Sequence, residues 1–190
     1  MNDLKNDIDE CCTALASGKL ILYPTDTIWG IGCDATNAVA VKKIYELKKR
    51  EEKKSMIILV AGEKDIFNYV ESPDKKIFRY LASAKKPTTV IYAHAKNLAK
   101  NLVSDDGTIA IRIVEDDFCK SLITQFKKPI VSTSANISGE TFPKNFTEID
   151  TAIKNGVDYI VQHRQNDLIS SQPSSIIKLN SEGEIEVLRP

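Results

Sequence analysis

Residues 20–27 read Leu20-Ile21-Leu22-Tyr23-Pro24-Thr25-Asp26-Thr27, an apolar run that turns polar at a proline. The apolar half predicts a short buried strand that stops at Pro24, because proline has no N–H to give to a sheet ladder. The polar half predicts a turn at the exit of that strand. Ligands of α/β sheets commonly lie beyond the ends of strands, so this turn is a candidate binding position; an ordinary turn is the alternative.

Amphipathic helices are predicted on both sides of this strand. Over residues 3–17 the apolar positions form one stripe, and Gly18 stands where helix C-termini are usually closed. A second helix is predicted to begin after Asn37, a favoured N-cap residue, and to carry Val41 and Ile44 on its apolar face.

The rest of the chain interleaves helices and strands in the same way. Further helices are predicted over 74–84, 116–126 and 148–155, and further strands over 56–60, 88–92, 108–114, 129–133, 159–161, 175–179 and 184–188. Because some strands follow one another directly, the pattern predicts a mixed sheet with helices packed on it rather than a strictly parallel one. We expect a single α/β domain over residues 1–190.

Composition and charge exclude several classes of protein. The 190 residues include 26 Lys and Arg and 26 Asp and Glu, so the formal charge is zero, whereas proteins that grip nucleic-acid backbone normally carry a positive excess. The polar N-terminus is unlike a signal peptide and the apolar runs are too short to span a bilayer, so we expect a cytoplasmic protein. Cys11, Cys12, Cys33 and Cys119 form no CxxC pair, and no metal site is predicted.

The segment Lys48-Lys49-Arg50-Glu51-Glu52-Lys53-Lys54 carries the first candidate cations. A solvated helix end would have the same composition, since cations are favoured near a helix C-terminus. Lys48, however, follows Val41 by seven residues, so it continues the apolar stripe and is predicted to point inward, while Lys49 points away. An inward lysine needs an anionic partner, which Arg50 could share through a bidentate contact.

The strand 108–114, Thr108-Ile109-Ala110-Ile111-Arg112-Ile113-Val114, carries a further candidate. Alternation places the three isoleucines on one face, which is predicted to join the core. The other face carries Thr108, Ala110, Arg112 and Val114. Small residues around one arginine suit a cavity wall that anchors a carboxylate or a phosphate. An edge-strand arginine that faces water is the alternative, and the sequence pattern favours neither.

Residues 132–139, Ser132-Thr133-Ser134-Ala135-Asn136-Ile137-Ser138-Gly139, follow a predicted strand directly. Small hydroxyl and amide groups there can donate hydrogen bonds to an oxyanion or a phosphate, although they also build ordinary turns. The sequence has no Gly-rich phosphate loop, and neither of its two histidines stands in a recognisable arrangement with a nucleophile. The candidates therefore combine cations and small donors without a nucleophile, which suits a reaction between bound substrates.

Taken together, these segments resemble the YrdC/Sua5 family of threonylcarbamoyl-AMP synthases over nearly the whole chain. Tyr23-Pro24-Thr25-Asp26-Thr27-Ile28-Trp29-Gly30-Ile31-Gly32 resembles the family motif P-T-[DE]-T-x-[YW]-G-[LI]-G, Lys48-Lys49-Arg50 its K-x-R element and Ser134-Ala135-Asn136 its S-x-N element. Pro87-Thr88-Thr89-Val90, the strand with Arg112, Ser174-Ser175-Ile176-Ile177 and Val187-Leu188-Arg189 follow in the family's order. The resemblance implies the short, single-domain form, with a twisted mixed sheet and a central substrate cavity.

The resemblance also implies a reaction and a set of site residues. L-threonine, bicarbonate and ATP would be joined into threonylcarbamoyl-AMP with release of pyrophosphate, for the modification of tRNA. Lys48, Arg50, Ser134 and Asn136 would surround the phosphates as the catalytic group, and Lys54, Thr108, the backbone of Ala135 and Arg189 would complete the ATP side. Thr25, Arg112, Thr133 and Ser174 would hold threonine. Mg²⁺ is expected mainly on the nucleotide, and tRNA threonylcarbamoyl-transfer proteins are expected as downstream partners.

Two other functions stay open at this point. A non-catalytic RNA-binding or ribosome-associated module is supported by the basic segment 48–54 and opposed by the zero net charge. A different carbamoyl-transfer enzyme is the second, because a related domain occurs in the much larger hydrogenase-maturation proteins. Weak binding of RNA or tRNA would also be compatible with the synthase.

Overall fold

The computed structural model describes residues 2–51, 56–168, 172–180 and 182–190. Its helices are α1 (Asn2–Ala16), α2 (Ala38–Leu47), α3 (Glu63–Tyr69), α4 (Lys75–Ser83), α5 (Asp117–Phe126) and α6 (Thr151–Gly156), with a 3-10 turn at Phe146–Glu148. Its strands are β1 (Ile21–Tyr23), β2 (Gly30–Gly32), β3 (Ile57–Val60), β4 (Thr88–Tyr92), β5 (Ile109–Ile113), β6 (Ile130–Ser134), β7 (Tyr159–Ile160), β8 (Ser175–Leu179) and β9 (Ile185–Arg189). In these parts of the chain, no helix is long and apolar enough to cross a membrane.

All these strands form one mixed sheet in the order β7-β1-β2-β6-β3-β5-β4-β8-β9. The pairs β1–β7, β3–β5 and β4–β8 are parallel, and the other five pairs are antiparallel. The predicted α/β class with a mixed sheet is therefore confirmed. β5 lies between β3 and β4 in the interior of the sheet, so the arginine it carries is not on an edge strand.

One face of the sheet is covered by α2, α3 and α4, together with α6, whose Ile153 is buried in the core on this face. Ile31, Ile58, Ile111 and Val131 belong to its core, which is completed by Ile44 of α2, Ile66 of α3 and Ile77 of α4. The isoleucine face of β5 joins this core, as the alternation predicts: Ile109 and Ile111 are buried in it, and Ile113 packs against it.

The other face is covered by α1 and α5 over one half. Ile21, Leu59 and Ile130 pack there with Leu15 of α1 and Leu122 of α5. Paired residues on neighbouring strands share a face of the sheet. Ser132 pairs with Ile57 and Arg112 pairs with Leu59, so both polar residues lie on this same face. Beyond the two helices these strand ends border a hollow, and the uncovered half of the face positions the candidate site.

Candidate active site

The hollow has a volume of about 270 Å³. Among the described residues that line it are three arginines and no acidic side chain. The polar lining consists of Arg50, Arg112, Arg189, Thr27, Ser132, Thr133, Ser134 and Ser174. A second cavity of the same volume opens beside Tyr69, Lys127 and Pro129, and none of the residues predicted for the site lies in it.

Lys48 is buried at the end of α2, as the helical period predicts. Asn37 caps the helix by accepting from the N–H groups of Val39 and Ala40, and Lys48 is the C-cap residue. Its side chain is only 1 % exposed, whereas the neighbouring Lys49 is exposed. The prediction that Lys48 points inward and Lys49 outward is confirmed.

The Lys48 ammonium lies beneath the turn that follows β6. It donates to the carbonyl oxygen of Ser134 and, over 2.6 Å, to that of Asn136. Burial, together with the nearby positive charge of Arg50, lowers the pKa of Lys48 to about 8. The hydrogen-bond acceptors of the ammonium are therefore main-chain carbonyls. The sequence pattern predicts an anionic partner instead.

Hydrogen bonds within the turn after β6, and from this turn to Trp29 and Lys48, fix its conformation. The Asn136 amide donates to the carbonyl of Glu140 over 2.7 Å, and its Oδ1 is buried without a partner. The Ala135 N–H donates to the carbonyl of Trp29 over 3.2 Å, and the Ser138 N–H donates to that of Lys48 over 2.8 Å. Ser134 and Thr133 line the hollow, whereas Ala135 and Asn136 are not among its lining residues.

Arg112 forms a wall of the hollow from β5, and the alternative of an edge arginine facing water is wrong. Its side chain is 3 % exposed, and Nη2 lies 3.0 Å from Oδ1 of Asp26 and 3.5 Å from Oγ1 of Thr25. Its Nε is buried without a hydrogen-bond partner. The guanidinium is therefore charged, buried and incompletely bonded.

Small hydroxyl groups surround this guanidinium. Thr25 donates to the carbonyl of Ile28 over 2.8 Å and accepts from the N–H of Thr27 over 3.0 Å. Ser174 shares a hydrogen bond of 2.8 Å with Thr89. Of the residues predicted to lie with Arg112, Ser174 lines the hollow beside it, whereas Thr25 lies 3.5 Å from its Nη2 without being a lining residue.

Arg189 reaches this wall from β9. Its Nε donates to the carbonyl of Ser174 over 2.9 Å. Arg189 and Arg112 both line the hollow, and partial burial together with the charge of Arg112 lowers the pKa of Arg189. Burial also lowers the pKa of Arg50, the third arginine of the lining.

Thr108, which was predicted to contact ATP, is not brought to the hollow. Thr108 precedes β5, and its hydroxyl donates to Oδ1 of Asp106 over 2.7 Å, away from the lining residues. Lys54 lies outside the described residues. A role for either in binding ATP stays a prediction.

Asp26 and Arg164 are neighbours of the site that the sequence pattern does not single out. Arg164 donates to the carbonyl of Thr25 over 3.2 Å and to Oδ2 of Asp116 over 3.0 Å, so it ties the 24–27 turn to the start of α5. Nothing in the sequence signals this role. Asp26 could have been suspected, since an arginine predicted to point inward requires a counter-charge.

A family profile and individual relatives both relate this chain to the Sua5/YciO/YrdC family. The profile of the Sua5/YciO/YrdC family, described as "Telomere recombination", matches residues 13–190. Threonylcarbamoyl-AMP synthase of Pseudoalteromonas translucida is 32% identical over 175 residues, which cover 90% of this chain and 92% of the relative. Threonylcarbamoyl-AMP synthase of Photobacterium profundum is 29% identical over 160 residues, 83% of this chain and 86% of the relative.

Solved structures share the fold. The P. abyssi Sua5 structure complexed with L-threonine superposes with a TM-score of 0.84 at 23% identity, and E. coli YciO with 0.82 at 20%. Each match covers 96% of this chain, which spans 53% of the Sua5 chain and 87% of the YciO chain. A full-length HypF structure gives a TM-score of 0.83 at 24% identity, and the chain spans 28% of it.

Proposed function

The chain belongs to the Sua5/YciO/YrdC family, and on this premise we propose that it synthesises L-threonylcarbamoyl-AMP from L-threonine, bicarbonate and ATP, with release of pyrophosphate. The observation that carries the proposal is the hollow itself. Three arginines and a set of small hydroxyl groups converge there on one half of a sheet face, and no acidic side chain stands among the described lining residues. Such a surface suits substrates that carry carboxylate and phosphate groups.

The reaction needs positioning and charge neutralisation more than a protein nucleophile. The amine of threonine attacks bicarbonate to give a carbamate and water, and a carbamate oxygen then attacks the α-phosphate of ATP. The bond between the α- and β-phosphates breaks, and pyrophosphate leaves. Cations fixed around both anionic centres lower the repulsion between the attacking carbamate and the triphosphate.

We assign the two ends of the hollow to the two substrates. Arg112, with Thr25, Thr133 and Ser174, would take threonine, its carboxylate on the guanidinium. Arg50, Ser134 and Arg189 would face the nucleotide phosphates. Arg112 and Arg189 both line the hollow, which supports this division because it sets two cations where the two anionic substrates must approach each other.

Lys48 and Asn136 would complete the phosphate subsite from beneath the turn. Their polar groups engage carbonyl oxygens of this turn, so contact with a phosphate requires the ammonium to exchange a carbonyl for a phosphate oxygen. Until then Lys48 contributes its charge from behind Ser134. We propose the same phosphate role for the Ala135 backbone, Thr108 and Lys54, on the resemblance of the motifs alone.

Magnesium would arrive with the nucleotide. The described residues contain no group of three or more His, Cys, Asp or Glu side chains that could hold a metal ion. Mg²⁺ keeps several waters and binds phosphate oxygens readily, which fits a lining of cations and hydroxyls. When bound, it would neutralise part of the triphosphate charge.

The product would serve the modification of tRNA, through proteins that transfer its threonylcarbamoyl group. We propose that the described sheet and helices form one domain and that the protein works in the cytoplasm. An RNA-binding module is not favoured, because the relatives are synthases and the net charge is zero. The HypF likeness supports a shared fold and no carbamoyl-transfer role beyond it.

Pyrophosphate release tests the proposal. Purified protein with ATP, L-threonine, bicarbonate and Mg²⁺ is expected to release pyrophosphate, together with threonylcarbamoyl-AMP detected by mass spectrometry. Omitting threonine or bicarbonate should abolish both signals. Release that continues without threonine would show an unrelated ATP-hydrolysing activity and would refute the assignment.

A further inference from the structure

We propose that Asp26 is a specificity-determining residue: its carboxylate makes the Arg112 end of the hollow select amino acids with a protonated amine over carboxylates that lack one. The inference rests on the proposed function, since it takes Arg112 as the anchor of the threonine carboxylate. Its physical basis is the ion pair between β5 and the 24–27 turn, in which Nη2 of Arg112 lies 3.0 Å from Oδ1 of Asp26.

The ion pair leaves part of the guanidinium unused. Nε of Arg112 is buried without a hydrogen-bond partner, and Nη2 meets Oδ1 of Asp26 at 3.0 Å as an ion pair that makes no hydrogen bond. A guanidinium has five N–H donors, so one acidic neighbour does not exhaust its capacity for a second carboxylate. Arg112 lines the hollow, and Asp26, although not among the lining residues, is in direct contact with that arginine. Buried polar groups of a folded protein are usually bonded, so an incompletely bonded arginine at the wall of a cavity is suited to a ligand.

Because the pair is buried, the charges of both side chains act strongly on a bound ligand. The side chains of Arg112 and Asp26 are only 3 % and 9 % exposed, so water screens their interaction with a ligand weakly. A simple carboxylate that binds Arg112 gains the attraction of the guanidinium and suffers the repulsion of Asp26. An α-amino acid carries its ammonium one carbon away from its carboxylate, so attraction between this ammonium and Asp26 offsets that repulsion.

A direct comparison of two ligands isolates this effect. L-threonine and 3-hydroxybutyrate differ by the amine alone, and their dissociation constants can be measured by isothermal titration calorimetry. The variants are Asp26→Asn, which removes the charge at nearly constant shape, and Asp26→Ser, which leaves room for a water beside Arg112. Asp34→Asn is the matched control. Asp34 is also buried and forms an ion pair, with Lys128 at 2.6 Å, but it does not line the hollow.

Wild-type protein is expected to bind threonine at least about tenfold more tightly than 3-hydroxybutyrate. In a neutral Asp26 variant that ratio should fall at least about tenfold, with 3-hydroxybutyrate binding more tightly than to wild type, and in Asp34→Asn it should not change. The Coulomb energies of buried pairs at these distances readily supply a tenfold effect.

Three results would overturn the inference. If the variants bound both ligands more weakly by the same factor, Asp26 would merely hold Arg112 in place. If the ratio of the two dissociation constants stayed within about twofold of the wild-type value, the charge of Asp26 would not affect selectivity. Failure of both neutral variants to unfold cooperatively would assign Asp26 to the stability of the fold. Failure of wild-type protein to bind threonine would instead refute the proposed function, which makes the two failures distinguishable.

Discussion

Lys48 combines a buried charge with a position beneath the phosphate-facing turn, so it is the residue at which stability and activity are most closely joined. Its methylene stem fills the end of the α2 stripe, and its ammonium bonds two carbonyls of the turn. Removing it takes away a preorganised cation and leaves both carbonyls without their donor.

We therefore expect Lys48→Ala to lower the rate of pyrophosphate release by about 10²–10³-fold, the usual scale for the loss of one preorganised electrostatic partner. Lys49→Ala, one residue further along and exposed, is the control and should retain nearly full activity. Similar rates for both variants would remove Lys48 from the phosphate subsite.

The pH dependence of the reaction should report the same group. Because the pKa of Lys48 is lowered to about 8, its ammonium is protonated below that pH and loses its charge as the pH rises through it. We expect kcat/KM for ATP to fall above about pH 8. Lys48→Arg keeps its charge at every accessible pH, so any residual activity of this variant should not fall over that range.

Single residues also show how far sequence periodicity reaches. Lys48 and Arg112 could be predicted to point inward because helical and strand periods fix the direction of a side chain relative to its own element. The partners of these cations could not be predicted, because Asp26 and the carbonyl of Asn136 meet them only after distant segments pack.

Among the elements, β2 depends most strongly on its glycines. A Cβ at Gly32 would lie 2.7 Å from Cε1 of Tyr23 and 2.8 Å from the carbonyl oxygen of Val131. β2 can therefore approach β1 and β6 only because this position has no side chain.

We expect Gly32→Ala to lower the free energy of unfolding by about 2 kcal/mol, the usual cost of overpacking a close contact. Urea denaturation followed by circular dichroism measures this change. Gly62→Ala is the control, because a Cβ there meets nothing within 4 Å. An equal loss in both variants would show that close packing around β2 is not the cause.

Helix α1 is joined to the segment that supports the threonine end of the hollow. Asp7, 1 % exposed, accepts from the Tyr159 hydroxyl over 2.6 Å and from the N–H of His163 over 2.8 Å. The next residue, Arg164, holds the carbonyl of Thr25. A carboxylate on α1 thus fixes the loop that positions the 24–27 turn.

Asp7→Ala should cost about 3 kcal/mol in the free energy of unfolding, because it leaves several buried donors without an acceptor. Urea denaturation gives the value. Asp9→Ala, on the same helix but half-exposed and bonded at the surface to Lys5 and Gln125, should change the midpoint much less. A small effect at Asp7 would show that water replaces its carboxylate readily.

Most elements could be predicted from the pattern, and the exceptions have physical reasons. Residues 88–92 and 175–179 are rich in the β-branched residues that favour strands, and their predicted bounds match β4 and β8. β2 was missed because Gly-Ile-Gly has little intrinsic strand preference, so only its pairing with β1 and β6 makes it a strand. α3 was missed because Ile66 is its one buried residue, which leaves too weak a period to detect.

At the scale of the whole molecule, the site follows from incomplete coverage of the sheet. Four of the described helices cover one face, and α1 and α5 cover only half of the other. The strand ends on the uncovered half present arginine, serine and threonine where the covered half presents isoleucine and leucine. On β5 a single alternating pattern serves both the fold and the site: its isoleucines face the core under α2, α3 and α4, and Arg112 faces the hollow.

A crystal structure with ATP and L-threonine bound tests the central claim most directly. We predict that both substrates occupy the one hollow, with the threonine carboxylate on the Arg112 guanidinium and phosphate oxygens within hydrogen-bond distance of Arg50 and Ser134. Threonine bound away from Arg112, or triphosphate bound in the cavity beside Tyr69 and Lys127, would contradict it.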